Sequence, residues 1–184
     1  MKPNYYELWK KYRRALKQRN ILLRQRATSN NLLPWNKILS ELAHEIDRMR
    51  RDYILMLNQQ FHEVLLTLSD INCTLEYYKG WDKKGDKSLE TILSESLAGD
   101  LQYQYTRYGS HQAELLFTNG DRKLKHYLSR GQQKIVLFAL KLAQAQLVSQ
   151  FCLFLMDDLF AEFDHKHVQR LIHCIRLRYL WLRQ

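Results

Sequence analysis

The chain has 184 residues, of which 46% are hydrophobic and 26% charged, and it contains only six Gly and two Pro. This composition is typical of a folded globular protein and excludes a collagen-like or disordered chain. The apolar runs are far shorter than the roughly 20 residues of a membrane-spanning helix, and no signal peptide is visible. The three cysteines are scattered and form no C-x-x-C pair. We therefore expect a cytoplasmic protein with free thiols, no zinc site and no membrane attachment.

The net charge of +10 is concentrated at the amino-terminal end. Residues 1–26 contain nine Lys or Arg and a single acid, Glu7. A basic helix of this kind suits a polyanion such as nucleic acid, because each neutralised phosphate releases counterions. The pattern equally suits a solvated outer face whose long side chains cover apolar surface, and the sequence leaves both interpretations open. The candidates for DNA contacts are Lys10, Arg13, Arg14 and Lys17.

Two amphipathic helices are predicted in the first 70 residues. The first begins near Tyr5 and ends at the turn-forming cluster of residues 28–31. Pro34 suits the first turn of the second helix, whose apolar stripe of period near 3.5 continues for about 35 residues. Two helices joined by a short polar turn are expected to pack antiparallel, as a coiled-coil-like hairpin.

The pattern changes after the second helix to short elements of both kinds. In chain order they are a strand over residues 71–77, a Ser88-capped helix over 88–97, strands over 101–105 and 113–118, and a hairpin-type turn at 119–121. A final helix is predicted from about Lys166 to Leu180. The predicted fold class is therefore mixed α+β.

Ser129 and Gln132 have the spacing of a capping box that starts a helix. Apolar residues then recur at helical spacing from Ile135 to Leu147. The free N–H groups of a helix start, the Ser129 hydroxyl and an adjacent Arg130 suit a phosphate, and Gly131 lets that phosphate approach the backbone closely. An ordinary capped core helix is the plain alternative.

Residues 151–156 form a wholly apolar run that ends in Asp157 and Asp158. A run without polar alternation is typical of a strand buried on both faces of a sheet. Acids at the carboxyl end of such a strand lie where open α/β sheets bind ligands, and Mg²⁺ prefers hard oxygen ligands. Asp157 would then hold the metal and Asp158 would polarise a water. An acidic turn after a core strand is equally compatible with this run alone.

Together these segments resemble ABC-type ATPases, and most closely the RecF family. Residues 128–132 resemble the ABC signature motif, 151–158 resemble a Walker B strand, and 161–164 resemble the D-loop. Three further segments, 12–20, 77–82 and 109–114, are similar to RecF segments in the same order. The resemblance extends from about Pro3 to about Asp164.

The resemblance implies a helical hairpin like lobe II of the family over residues 1–70, joined to part of an ABC-type P-loop ATPase head over residues 71–184. It implies an ATP-dependent homodimer, in which the signature segment of one subunit closes on ATP held by the other. Mg²⁺ is the implied metal and Asp157 its ligand, whereas Asp158 is the catalytic residue that orients water. The implied ATP-binding residues are Ser129, Arg130, Gly131 and Gln132, and the D-loop residues are Ala161, Glu162 and Asp164.

The resemblance also implies a role in DNA replication, recombination and repair, including the SOS response. The closed dimer would bind single-stranded or gapped DNA in an ATP-dependent manner, at the junction of a single-strand gap and duplex, and RecA loading with RecR and RecO would follow. The alternative is a non-enzymatic module whose helical hairpin and basic helix bind DNA or a protein partner. A decayed remnant without activity is a third possibility.

The 184 residues lack the Walker A loop, G-x-x-x-x-G-K-[ST], that an ABC head needs to hold phosphates. None of the six glycines stands in that pattern. We therefore expect a split or truncated gene product that is inactive alone, and whether it serves an enzyme stays open. Ala161 stands where the family has serine, which puts signalling across the dimer in doubt.

Three histidines need a separate interpretation. His111 lies in a RecF-like segment, which makes it a candidate near the nucleotide or the partner subunit, whereas a surface or core histidine is equally compatible. His165 and His167 have no third ligand in the sequence, so we expect solvent exposure instead of a metal site.

Overall fold

The structure, a computed structural model, describes residues 5–83, 85, 87–120, 122–148, 152, 154 and 165–178. Its elements, in chain order, are α1 (Tyr5–Arg24), α2 (Ser29–Leu68), β1 (Thr74–Tyr78), α3 (Leu89–Glu95), α4 (Leu97–Tyr103), β2 (Glu114–Asn119), β3 (Arg122–Lys123), α5 (Arg130–Gln146) and α6 (His165–Arg178). The strands form a three-stranded sheet in the order β1-β2-β3. The predicted mixed α+β class is confirmed.

The chain forms two compact units, each built from two separate stretches. The first comprises Met1–Tyr53 and Tyr77–Leu115, and the second comprises Ile54–Glu76 and Leu116–Gln184. The assignment of residues 1–70 to a lobe and of 71–184 to an ATPase head stays a prediction.

Helix α1 and the part of α2 up to Tyr53 form the predicted antiparallel hairpin in the first unit. Near the turn, Arg19 donates to Asn36 at 2.7 Å, and far from it Arg50 donates to the Tyr5 hydroxyl at 3.0 Å. Partners that are close in sequence lie near the turn and distant ones lie far from it, as two antiparallel helices require. Their shared core is completed by buried side chains from the later segment of this unit, namely Trp81, Leu89 and Leu93.

The second helix begins earlier than its proline indicates. α2 starts at Ser29, so residues 29–31, which the sequence predicts as turn, are helical and Pro34 lies inside the helix. A proline costs a helix one backbone hydrogen bond when it lies beyond the first turn. Leu32, Leu39 and Ile46 are fully buried, and this burial favours the longer helix.

Residues 101–105 are helical at their start, so the predicted strand over 101–105 is wrong. α4 covers Leu97–Tyr103, and Gln104 then adopts the left-handed conformation with φ 61°. Five residues that alternate apolar and polar fit both periods, and here the helix is fixed by Asp100 in its first turn. The carboxylate of Asp100 is fully buried and accepts hydrogen bonds from Arg19 and Arg107.

The second unit contains residues 74–76 of β1, residues 116–119 of β2, the whole of β3 and the signature helix α5. Asn58 of α2 clamps the backbone of Leu75 in β1, accepting from its N–H at 3.1 Å and donating to its carbonyl at 3.2 Å. β2 and β3 pair antiparallel with Asn119 opposite Arg122, which confirms the predicted hairpin. α5 buries Ile135, Val136, Ala139, Leu142 and Ala143.

Candidate phosphate-binding and nucleic-acid surfaces

The amino terminus of α5 has the predicted capping box. The Ser129 oxygen accepts from the Gln132 N–H at 3.3 Å, and the Gln132 side-chain oxygen accepts from the Ser129 N–H at 2.9 Å. The Ser129 carbonyl accepts from the N–H of Gln133 at 2.9 Å. The cap therefore uses the acceptor capacity of Ser129 and leaves its hydroxyl hydrogen able to donate.

Donors at this helix start face open space. The N–H groups of Arg130 and Gly131 have no carbonyl acceptor within the helix, because they belong to its first turn. A Cβ added at Gly131 would meet no atom within 4 Å. Ser129, Arg130 and Gln132 are exposed. The four predicted residues thus lie together at one helix start, whose free N–H groups and positive dipole suit an anionic oxygen.

The acids predicted to complete the ATP site cannot be placed beside this helix. Asp157, Asp158 and the D-loop residues Ala161, Glu162 and Asp164 all lie outside the described residues. Their roles stay predictions. Among the residues that the structure does describe, no three His, Cys, Asp or Glu side chains are grouped as a metal site would require.

The predicted DNA contacts lie together on α1, in the first unit. Lys10, Arg13, Arg14 and Lys17 are all exposed, and all four line one open groove with a volume of about 550 Å³. Lys10, Arg13 and Lys17 are spaced three and four positions apart, so they form one stripe of the helix. The signature residues belong to the second unit.

Arg19 is excluded from this basic surface because it is fully buried. Its Nη1 donates to Asp100 at 2.8 Å and to the Thr106 hydroxyl at 2.7 Å, and its Nε donates to Asn36. Burial lowers the pKa of the Arg19 guanidinium, whereas its bond to Asp100 acts in the opposite direction. This charge holds the unit together and is not available to a ligand.

His111 is a structural residue in the first unit. Its Nε2 lies 2.9 Å from the Thr106 carbonyl oxygen and its Nδ1 lies 2.9 Å from the Tyr12 hydroxyl. A carbonyl can only accept, so Nε2 carries the hydrogen, and Nδ1 accepts from Tyr12. Burial lowers the pKa of His111, which favours this neutral form. The described contacts of His111 therefore account for it without a nucleotide.

Sequence reasoning missed a group of exposed aromatic side chains around Arg107. The guanidinium of Arg107 lies 5.4 Å from the ring centre of Tyr103 and 5.5 Å from that of Tyr108. Tyr103, Tyr105 and Tyr108 are 56%, 45% and 36% exposed. The three tyrosines lie within six residues, and this density is itself a signal, but the alternating pattern of residues 101–105 predicts a strand there.

Helices made by the described residues include none that is long and apolar enough to cross a membrane. No family model matches the chain. The chain is, however, similar to curated relatives. It is 39% identical over 173 residues to the DNA replication and repair protein RecF of Pseudomonas syringae pv. syringae (strain B728a), covering 91% of this chain and 47% of the relative. The RecF protein of Pseudomonas paraeruginosa (strain DSM 24068 / PA7) is 37% identical over 173 residues.

Two solved structures have the same fold. The structure of the recombination mediator protein RecF with ATP, in the RecFOR pathway, matches 95% of this chain and 50% of its own with a TM-score of 0.80 at 22% identity. A second structure of that protein, with an ATP analogue, gives a TM-score of 0.79 over 93% of this chain.

The matched relatives form a class, the proteins named as DNA replication and repair proteins. Within that class the chain corresponds to the carboxyl-terminal part of RecF. The chain spans about half the length of the curated relatives it matches, with 47% of the first covered.

Proposed function

We propose that the chain supplies the signature side of an ATP-dependent DNA clamp of the RecF type. The observation that carries this proposal is the start of α5, where an intact capping box lies beside an unobstructed Gly131. The relatives are named as DNA replication and repair proteins, and the matching structures are titled as RecF with ATP. In this proposal the chain serves recombinational repair in the cytoplasm.

The chain's residues would act on ATP held by another subunit. The Ser129 hydroxyl, the N–H groups of Arg130 and Gly131 and the amide of Gln132 would donate to the γ-phosphate oxygens, where charge accumulates during phosphoryl transfer. Asp157 is the proposed ligand for Mg²⁺, which would neutralise phosphate charge when bound. Asp158 is the proposed residue that orients the attacking water.

DNA is the proposed substrate of the closed dimer, at a junction of single-strand gap and duplex. Lys10, Arg13, Arg14 and Lys17 are the proposed phosphate contacts, supported by their exposure on one groove. RecA, RecR and RecO are the proposed partners that follow DNA capture. The D-loop residues Ala161, Glu162 and Asp164 are proposed to lie at the dimer contact.

The test supplies the Walker A loop that these 184 residues do not contain. The amino-terminal half of a RecF relative is mixed with this chain, and ATP binding, ATP hydrolysis and association of the two pieces are measured. We expect ATP-dependent association and hydrolysis, and we expect Asp158→Asn to retain association while losing most hydrolysis. A well-folded pair that neither associates nor hydrolyses ATP would refute the proposal.

A matched pair of cap variants separates phosphate contact from helix stability. Ser129→Ala removes the signature hydroxyl, whereas Ser88→Ala removes an equivalent cap, since the Ser88 oxygen accepts from the Thr91 N–H at 3.1 Å. Both lose a cap worth about 1 kcal/mol. Only Ser129→Ala should weaken ATP-dependent association. Equal effects on association would show that Ser129 acts only through stability.

The exposed basic face of α1 favours a second candidate function, DNA binding without ATP. This candidate predicts that affinity for DNA falls steeply with salt, is unchanged by ATP and persists in Asp157→Ala. ATP-dependent capture that is lost in Asp157→Ala would contradict it.

A further inference from the structure

Tyr103, Tyr105 and Tyr108 form an exposed group for which the clamp mechanism gives no role. We name this group the tyrosine platform. We propose that the platform stacks unpaired bases of a single DNA strand whose phosphates lie along the basic groove of α1. This inference rests on the proposed DNA binding by α1 and adds to it a base-contacting site.

Arg107 contacts two rings of the platform, those of Tyr103 and Tyr108, and is itself held by several hydrogen bonds. Both the N–H and Nε of Arg107 donate to Asp100, at 3.3 and 3.1 Å, and Nη2 donates to the Ser96 carbonyl at 3.3 Å. The guanidinium packs so closely on Gly99 that a Cβ there would clash with it. Because Asp100 is itself fully buried, these contacts fix Arg107 before any ligand arrives.

The rings retain surface for a ligand. Arg107 lies near 5.5 Å from the centres of two of them, and the rings of Tyr103 and Tyr105 are 6.1 Å apart with planes tilted by 57°. This tilt excludes a stack of the two rings on each other. Large aromatic side chains that are 36% to 56% exposed around a fixed cation are the composition of a stacking site for bases.

The platform is continuous with the basic groove. Asn20 lines that groove, and its side-chain oxygen accepts from the N–H of Thr106 at 2.9 Å and from the Thr106 hydroxyl at 2.7 Å. Thr106 is next to Tyr105 and two residues before Tyr108. The groove and the segment that carries the tyrosines are therefore joined at Asn20.

Charge identifies the occupant as a nucleic acid. Five of the ten residues that line the groove are Lys or Arg, and none is acidic. A phosphate backbone matches such a surface along its whole length. Duplex DNA keeps its base faces stacked inside, whereas a single strand presents them to aromatic side chains. The combination of groove and platform thus fits a single strand best.

The test compares two oligonucleotides of equal charge. A thymidine oligomer of about 12 nucleotides and an abasic oligomer of the same length are titrated with the chain. We expect the thymidine oligomer to bind about tenfold more tightly, because only it can stack. Tyr103→Ala combined with Tyr108→Ala should remove this difference, whereas the corresponding Phe variants should keep it. Tyr127→Ala, which alters an exposed tyrosine of the other unit, is the control.

Failure of this inference and failure of DNA binding give different results. Arg13→Glu and Lys17→Glu should weaken both oligomers equally. If these variants weaken binding while the wild type binds the thymidine and abasic oligomers equally well, the stacking role is overturned and the proposed DNA binding by α1 is kept. If neither oligomer binds, both are overturned. If the Ala variants fail to fold, photochemical cross-linking of an iodouracil oligomer to the wild type decides, and cross-links that avoid Tyr103, Tyr105 and Tyr108 overturn the stacking role.

Discussion

Replacing Asp100 with asparagine tests whether one buried carboxylate holds the first unit together. Asp100 is the acceptor for Arg19 on one oxygen and for Arg107 on the other, and both Arg19 and Asp100 are fully buried. Asparagine has almost the same shape. It carries no charge, however, and its amide group would point two donor hydrogens at an arginine that can only donate.

The burial of both partners sets the expected loss of unfolding free energy in Asp100→Asn. Removing one partner of a buried ion pair typically costs 3 to 5 kcal/mol, because the other charge stays desolvated and unpaired. Arg19 has other acceptors in Asn36 and Thr106, but both are neutral, and its Nη2 has no partner among the residues that the structure describes. We therefore expect Asp100→Asn to lower the free energy of unfolding by about 3 kcal/mol or more, a large part of a typical 5 to 15 kcal/mol.

Urea unfolding monitored by tryptophan fluorescence measures this change. Trp9, Trp35 and Trp81 all belong to the first unit, so the signal is weighted towards the part that is altered. The matched control is Glu95→Gln. Its ion pair with Lys87 has almost the same length, 2.7 Å against 2.8 Å, but both side chains are about half exposed. An exposed pair contributes at most about 1 kcal/mol.

The reasoning is refuted if Asp100→Asn costs no more than Glu95→Gln. That result would mean that water or a rearranged side chain satisfies Arg19 once the carboxylate is gone. A second variant, Arg107→Met, tests the other oxygen of Asp100. It should cost less than Asp100→Asn, because the side chain of Arg107 is 29% exposed and that of Arg19 is fully buried.

Three further predictions concern backbone, cap and pH. Gly80→Ala should destabilise the chain by about 2 kcal/mol more than Gly85→Ala in urea unfolding. Both glycines have φ near +100°, but only a Cβ at Gly80 would meet the Gly109 carbonyl. Equal losses of unfolding free energy in the two variants would contradict this prediction. Ser129→Ala should lower the unfolding free energy by about 1 kcal/mol, and no loss would mean that the cap adds nothing. Burial lowers the pKa of His111 below its ordinary 6.5, so on acidification the unfolded chain takes up this proton first. Stability should therefore be retained above about pH 6.5 and fall below it, and a pH series in which His111→Gln shows the same slope would refute this assignment.

The helices were predictable because their signals are local. The capping box of Ser129 and Gln132, the Ser88 cap and the long apolar stripe of α2 all appear where the sequence placed them. Each depends on residues within a few positions of one another, and such contacts can be predicted from sequence spacing alone. The exposed basic stripe of α1 could be predicted for the same reason.

The features that the sequence did not predict depend on contacts between residues that are distant in the chain. The helix at Asp100 is fixed by Arg19, which lies 81 positions away, and no local pattern records that pair. The same contact removes Arg19 from the basic surface, although by sequence it belongs to the same charged segment as Arg13 and Lys17. The tyrosine platform was missed because its cation, Arg107, is positioned by that same buried carboxylate.

The way the first unit is assembled from two separated segments sets the order in which it can form during synthesis. Hydrogen bonds between its two segments join Arg19 to Thr106, 87 positions apart, and Tyr12 to His111, 99 positions apart. The α1–α2 hairpin can form from local contacts as soon as it leaves the ribosome, but its buried arginine stays without a counterion until the second segment follows. Because such distant closures are slow, the nascent hairpin passes through an interval in which its apolar face is uncovered. Any shortened product that ends between the two segments would remain in that state.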